Sequence, residues 1–436
     1  MAAISTIFRL LLLISFVPSL FSQDTVFDVE LVHRDSPMSP LYNNSMTPFD
    51  RLQAAVVRSV NRASYFDKRI DMNTSIDIEL GLTYNNGEFL MRFGMGTPNV
   101  QSVLGFIDTG SYLNWVDCAG CQCFNLSGDL FFPSESLSYK KLSCYSNECN
   151  NLGRCNKDKM CQYHVTFGDG SNIDGIFSSE TLSFTSLDTN QITFIPNILF
   201  GCNLRSLLTK FHDPGSSIGL GPNSPSLIHQ LAPKYISKYF SYCLDYLNGG
   251  VASRLFLGRG KQTITGTTMA TPLMTQDNFY AVQLNAISIP QEFAVFLPKR
   301  SMLRAGNIIF DSGTTMTVLD TEVVDRLVRE LTNYVSLSTV KVTGPFKLCF
   351  NVFSTEDEDE LPGLWFSFAG TLGNFWVRPE NLFGWYNRHV KCMVIIEASG
   401  LQVFGNIMMQ DVLVGHDLDK MELTIIEKKC TELYKP

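Results

Sequence analysis

Phe106-Ile107-Asp108-Thr109-Gly110-Ser111, in the first half of the chain, and Ile309-Phe310-Asp311-Ser312-Gly313-Thr314, in the second, share one pattern. Each has two apolar residues, an aspartate, a hydroxyl residue, glycine and a second hydroxyl residue. A lone Asp-Ser/Thr-Gly triplet is an ordinary turn signal. Two with matching flanks, one in each half, imply two similar lobes. Each triplet places a carboxylate at the end of a buried strand, on a tight turn where glycine tolerates unusual backbone and the hydroxyls donate hydrogen bonds. If a twofold brings the turns together, the two carboxylates meet. Like charges in contact cannot both ionise, so such a pair shares a proton through the acid range; this is known dyad behaviour carried over to these residues. It can hold a water, take its proton during attack on an amide carbonyl, and protonate the leaving amine without a covalent intermediate.

The rest of the chain fits that frame. Its 436 residues allow two or three domains, or one bilobal fold preceded by removable segments, and 45% hydrophobic against 17% charged residues suits a packed core. A net charge of −8 argues against nucleic acid and anionic lipid as partners. Arg9, the apolar run Leu10 to Val17, Pro18 and Ser22 read as a secretory leader over residues 1–22, too short to span a bilayer. The C-terminus, ending Tyr434-Lys435-Pro436, lacks the apolar tail of a lipid-anchor signal, so no stable membrane insertion is expected. Twelve cysteines behind such a leader favour disulfides in a soluble, exported, extracellular protein. Glycosylation triplets stand at Asn43, Asn73 and Asn125.

Phe27 to Arg34 alternates like a strand, and Ser36 to Thr47 reads as loop. Thr47-Pro48-Phe49-Asp50 then opens a helix, with Phe49, Leu52, Val56, Val60 and Ala63 on one face and Arg51, Arg58, Arg62, Lys68 and Arg69 on the other. A basic amphipathic helix suits a membrane surface or calmodulin. On an acidic exported chain it suits better a pro-segment, residues 23–78, lying on an acidic cleft through charge pairs that weaken as carboxylates protonate. Short β-rich runs punctuated by glycine follow from about Leu80, such as Gly87 to Gly94. Glu322 to Val335 is the strong later helix, with Val323, Val324, Leu327, Val328 and Leu331 on one face; the five acids from Glu356 to Glu360 read as a solvated loop.

The chain resembles the pepsin-like aspartic proteases over nearly its whole length. Phe106 to Val116, with Asp108-Thr109-Gly110-Ser111 and then Trp115, looks like the first catalytic loop, and Ile308 to Thr314 like the second. Val403-Phe404-Gly405-Asn406 looks like the element threading the second loop, and Ile218-Gly219-Leu220-Gly221 like its first-lobe counterpart. The resemblance implies a mostly β, bilobal fold with two β-barrel-like lobes and few helices, the N-terminal lobe at 79–265 and the C-terminal lobe at 266–436. Asp108 and Asp311 would be the catalytic pair. Gly110 and Gly313 would shape their turns, Thr109 and Ser312 would brace the opposite loop, and Ser111 and Thr314 would hydrogen-bond the carboxylates.

The flap is matched by Phe167-Gly168-Asp169-Gly170-Ser171, with Phe167 where the family carries a tyrosine that reaches toward the tryptophan matched by Trp115. Losing that hydroxyl costs about 0.5–1.5 kcal/mol of hydrogen bonding, so slower turnover or altered specificity is implied. Seven cysteines between Cys118 and Cys161 look like the insert of plant nepenthesin-type proteases, and Leu31 to Pro37 is similar to their pro-segments. That framework implies Cys118 with Cys121, Cys123 with Cys202, Cys144 with Cys161, Cys149 with Cys155, Cys243 with Cys430 and Cys349 with Cys392. A zinc site at Cys118, Cys121 and Cys123 is the weaker alternative.

These features imply a secreted aspartic endopeptidase made as a zymogen, a monomer favoured by acid that needs no cofactor or metal. It would cut peptide or protein substrates and have its own pro-segment as intramolecular inhibitor. The alternative is a non-catalytic, protein-binding member of the same fold, similar to the xylanase-inhibitor relatives. None of the six histidines stands in a recognisable nucleophile motif, which leaves a Ser-His-Asp hydrolase little support.

Overall fold

A computed structural model describes residues 25–71, 87–123, 130–166, 172–186, 189–207, 216–245, 253–260, 269–276, 279–298, 303, 305–398 and 400–433. The leader, Asn73, Asn125 and all five flap residues from Phe167 to Ser171 lie outside the described residues. The fold is bilobal and mostly β. Its first elements are β1 (Phe27–His33), α1 (Pro48–Asp71), β2 (Phe89–Met95), β3 (Gln101–Asp108) and β4 (Trp115–Gln122). The alternation of Phe27 to His33 buries Phe27, Val29 and Leu31, and seats β1 antiparallel between β2 and strand Arg254–Leu257. Around it a large sheet runs from the first lobe into the C-terminal strands Leu413–Asp417 and Glu422–Ile426.

Two substructures with the repeated motif are built alike. β3 lies parallel to strand Ser216–Gly219 with Asp108 opposite Gly219, and strand Ile308–Asp311 lies parallel to Val403–Gly405 with Asp311 opposite Gly405. Both glycines are sterically required. A Cβ on Gly219 would come within 2.7 Å of the Tyr112 carbonyl carbon and 2.8 Å of the Leu113 nitrogen, and one on Gly405 would run into the Met316 backbone. Each glycine therefore lets one segment pass through the loop that follows an aspartate.

Helix α1 forms where the capping sequence predicts. Asp50 accepts from the Thr47 backbone N–H at 2.8 Å while the Thr47 hydroxyl accepts from the Asp50 N–H at 3.2 Å, a reciprocal cap. Its faces differ from the sequence expectation. Val60 is exposed, whereas Arg58 and Arg62 are buried beside Ala55, Val56, Ser59 and Ala63. The physical reason is that the surface beneath the helix carries buried carboxylates as well as apolar groups, so cations and small residues share the inward face. The helix Thr321–Tyr334 buries Val323, Val324, Leu327 and Leu331. The acidic run is a short helix, Thr355–Asp359, and not a loop: Ser354 and Asp357 cap it reciprocally, and Lys391 pairs with Glu358 at 2.6 Å.

Six disulfides are present, four of them paired otherwise than the resemblance implied. Cys243–Cys430 and Cys349–Cys392 agree with it. Cys118 pairs with Cys202, because β4 runs parallel to strand Ile192–Leu207 and brings their Cα atoms to 5.6 Å; Cys121 and Cys123 are left to each other. Cys144 joins Cys155 and Cys149 joins Cys161, with Cα separations of 4.9 Å and 5.7 Å. Cys155 and Cys161 face each other on the hairpin Arg154–Cys155/Cys161–Thr166, so each takes a different partner from the adjoining turn and helix.

His416 lies in strand Leu413–Asp417, fully buried, with its ring stacked on Phe240 at 4.5 Å and flanked by Tyr280 at 4.9 Å and Tyr242 at 5.7 Å. Neither ring nitrogen has a hydrogen-bond partner, and burial pushes its pKa down to about 3. The folded state therefore resists a proton that the unfolded chain accepts near pH 6.5. Stability falls as pH drops from that value toward 3, by about 1.4 kcal/mol per pH unit. His416→Phe is expected to flatten this loss, so that its urea midpoint between pH 4 and 6 changes less than the parent's; identical pH slopes would rule the histidine out as the cause.

Candidate active site

The two matching turns converge where the lobes meet. Thr109 donates its backbone N–H to the Ser312 hydroxyl at 3.2 Å, and Ser312 donates its own to the Thr109 hydroxyl at 2.9 Å. The Thr109 hydroxyl donates in turn to the Phe310 carbonyl at 3.4 Å. This crossed lattice is buried and locks the two loops in register. Gly110 N–H donates to Asp108 Oδ1 at 2.8 Å and Gly313 N–H to Asp311 Oδ1 at 3.3 Å, so each carboxylate is oriented by its own turn.

Arg62 of α1 occupies the space between the aspartates. Its Nη2 donates to Asp108 Oδ1 at 2.5 Å and to Asp311 Oδ1 at 2.8 Å, and its Nε donates to Asp311 Oδ2 at 2.6 Å. All three side chains are at most 5% exposed, so the attraction is little screened by water. Burial alone would lower the guanidinium's pKa, but the two carboxylates outweigh it and push it up. Sequence periodicity put Arg62 on a basic face without showing its target. The available signal was the spacing of Arg58 and Arg62, four apart and so stacked on one side of the helix.

One turn earlier, Arg58 reaches Glu88, which sequence reasoning missed. Glu88 Oε1 accepts from Arg58 Nε at 2.9 Å and Nη2 at 2.6 Å and from the Thr315 hydroxyl at 2.6 Å, while His33 Nε2 lies 3.4 Å from Oε2. Burial would raise the Glu88 pKa, but Arg58, His33 and Arg34 more than offset this and hold the carboxyl well below its usual range. Farther along, Phe66 is buried edge-on to Phe279 at 4.8 Å, with the Arg62 guanidinium above its ring.

The remaining sequence-predicted residues divide. Thr314 donates its hydroxyl to Asp311 Oδ2. The Ser111 hydroxyl, contrary to the expectation, is buried with no partner, because Asp108 turns its oxygens toward Arg62 and the Gly110 N–H. Trp115 is packed at the head of β4 with Leu113, Tyr163, Ile173 and Phe177. Tyr163 points inward and donates to Asn203, which in turn donates to Asp117 at 2.7 Å; burial pushes the phenol up. It is tied into the lobe and does not replace the flap tyrosine. Strands Cys161–Thr166 and Asn172–Ser186 pair antiparallel up to Thr166 and Asn172. Asn43 is exposed, in an Asx turn with Ser45. Cys118, Cys121 and Cys123 are all consumed by disulfides.

Comparison with known proteins agrees with this architecture. The family models described as "Xylanase inhibitor N-terminal" and "Xylanase inhibitor C-terminal" match residues 89–259 and 279–426. A probable aspartic protease of Arabidopsis thaliana is 33% identical over 93% of this chain and 94% of its own. Aspartic proteinase nepenthesin-1 of Nepenthes gracilis is 30% identical over 93% of this chain and 91% of its own. In fold, the chain is similar to conglutin gamma, a basic 7S globulin from lupine seeds, with a TM-score of 0.65 at 18% identity, covering 80% of this chain and 95% of that one. That likeness concerns the fold alone. No described helix is long and apolar enough to cross a membrane.

The crossed lattice makes a stability prediction. Thr109→Val leaves the buried Ser312 N–H without its acceptor and is expected to lower the unfolding free energy by about 1–3 kcal/mol, whereas Thr109→Ser restores most of it. Urea denaturation of the two variants measures this, and equal stability for both would remove the lattice from the account of how the loops are joined.

Proposed function

The chain belongs to the pepsin-type aspartic protease family, and we propose that it is an endopeptidase whose catalytic pair is Asp108 and Asp311. The observation that carries this proposal is that two carboxylates from matching loops meet at a single guanidinium nitrogen. With Arg62 withdrawn, two buried carboxylates at that separation need another positive charge, and a shared proton supplies it. The protonated pair then binds the attacking water. One carboxylate takes the water's proton as the amide carbonyl is attacked while the other gives its proton to the developing oxyanion; as the C–N bond breaks, the proton taken from water passes to the leaving amine and a hydroxyl proton returns to the pair. The Gly110 and Gly313 N–H groups and the Thr314 hydroxyl keep the oxygens pointed at the reaction centre.

In the same proposal the chain is a zymogen, exported through the leader at residues 1–22. Residues 25–71 contribute β1 to the central sheet and lay α1 across the cleft, with Arg62 on the pair, Arg58 on Glu88 and Phe66 against Phe279. Acid weakens this arrangement in the right direction, since protonating a carboxylate removes its attraction for arginine while supplying the proton that catalysis needs. Substrates are extended peptides, and no cofactor takes part in the proposed chemistry.

Acid-treated chain is expected to cut an unfolded protein with a maximum on the acid side of pH 7, sensitive to pepstatin. Asp108→Asn and Asp311→Asn should each reduce cutting to background while the chain still folds. Cleavage that survives either substitution would contradict the pair. A folded, fully processed chain that cuts nothing would favour the inhibitor-like alternative.

A further inference from the structure

Glu88 is built into the first lobe, immediately before β2, which pairs along its length with β3. Its carboxylate also touches the second lobe, through the hydroxyl of Thr315, the residue after the one that hydrogen-bonds Asp311. Glu88 therefore lies beside the second catalytic loop. Its other close partners come from the segment that leaves on activation: Arg58 in α1, His33 in β1 and the Arg34 charge. Arg58 is four residues, one helical turn, before Arg62, so this segment already presents a cation to Glu88 while it fills the centre between Asp108 and Asp311.

We infer that, once residues 25–71 have departed, Glu88 forms an anionic subsite that accepts an arginine or lysine side chain of the substrate near the scissile bond. This inference rests on the hydrolase proposed above. Among the described residues, departure of the segment leaves Glu88 the Thr315 hydroxyl as its side-chain hydrogen-bond donor, and a carboxylate facing a cleft recovers most by taking a new cation. The geometry it offers is already sized for a guanidinium, since Oε1 takes both Nε and Nη2 of Arg58. Peptides that bring a basic residue to this point gain a charge-assisted pair, while acidic residues there meet repulsion.

The test uses the acid-converted full chain and peptide pairs identical except that arginine, moved residue by residue across the scissile bond, is exchanged for neutral citrulline. At one position the arginine peptide is expected to have about tenfold higher kcat/KM. In Glu88→Gln that ratio should fall close to one. Because it is measured within each protein, it does not depend on the folded fraction. A ratio near one at every position in the parent, or a ratio that Glu88→Gln leaves intact, would overturn the inference. A parent that cuts neither peptide contradicts the hydrolase proposal instead; competition of the same pairs for binding to that protein then decides the subsite, with preference for arginine lost in Glu88→Gln as the supporting result and no preference as the opposing one.

Discussion

One guanidinium group between two buried carboxylates determines the state of this molecule. Asp108 and Asp311 are brought together by the backbone, and their mutual repulsion must be relieved by a cation or a proton. In the chain as it stands, Arg62 supplies that charge and occupies the place where a substrate carbonyl and its attacking water would have to be. Breaking a buried pair from one side costs roughly 3–5 kcal/mol, because a naked charge is left behind. In the proposed function, inhibition and catalysis are thus two ways of satisfying the same pair of charges.

That arrangement depends on steric details of the loops that carry the charges. Gly219 and Gly405 let a strand pass through each aspartate-bearing loop, and the Thr109–Ser312 lattice ties the loops across the lobe boundary. Beneath them, strands from the C-terminus continue the sheet that includes β1, with Cys243–Cys430 fastening the end of the chain. The proposed pro-segment is therefore anchored twice, by main-chain pairing through β1 and by side-chain charge through α1. Protonation of carboxylates acts on both, since β1 also carries the Asp28–Arg254 and His33–Glu88 pairs.

Much of this was legible from residues. The duplicated motif gave the bilobal plan and the two converging aspartates, because those features follow from local backbone chemistry, and the family resemblance gave the glycine at each threading strand. The Thr47 to Asp50 cap gave the start of α1 within a residue. The inward placement of Arg58 and Arg62 was not legible, since apolar periodicity assumes that the buried surface is apolar, and here it contains Glu88, Asp108 and Asp311. Cysteine pairing in the insert failed for a related reason: the choice among near neighbours is set by the parallel run of β4 beside strand Ile192–Leu207, a contact between distant segments. The missing Ser111 bond likewise reflects a carboxylate already committed to Arg62.

In the proposed zymogen, Arg62 closes the site. The most direct measurement is binding of a fluorescent pepstatin derivative to unprocessed chain across about pH 3 to 7, parent against Arg62→Gln, with intact mass confirming that no cleavage has occurred. The parent should exclude the ligand near neutrality and admit it only in acid, whereas the variant should admit it at a pH at least about one unit higher. Coincident binding curves for the two proteins would show that Arg62 does not close the site.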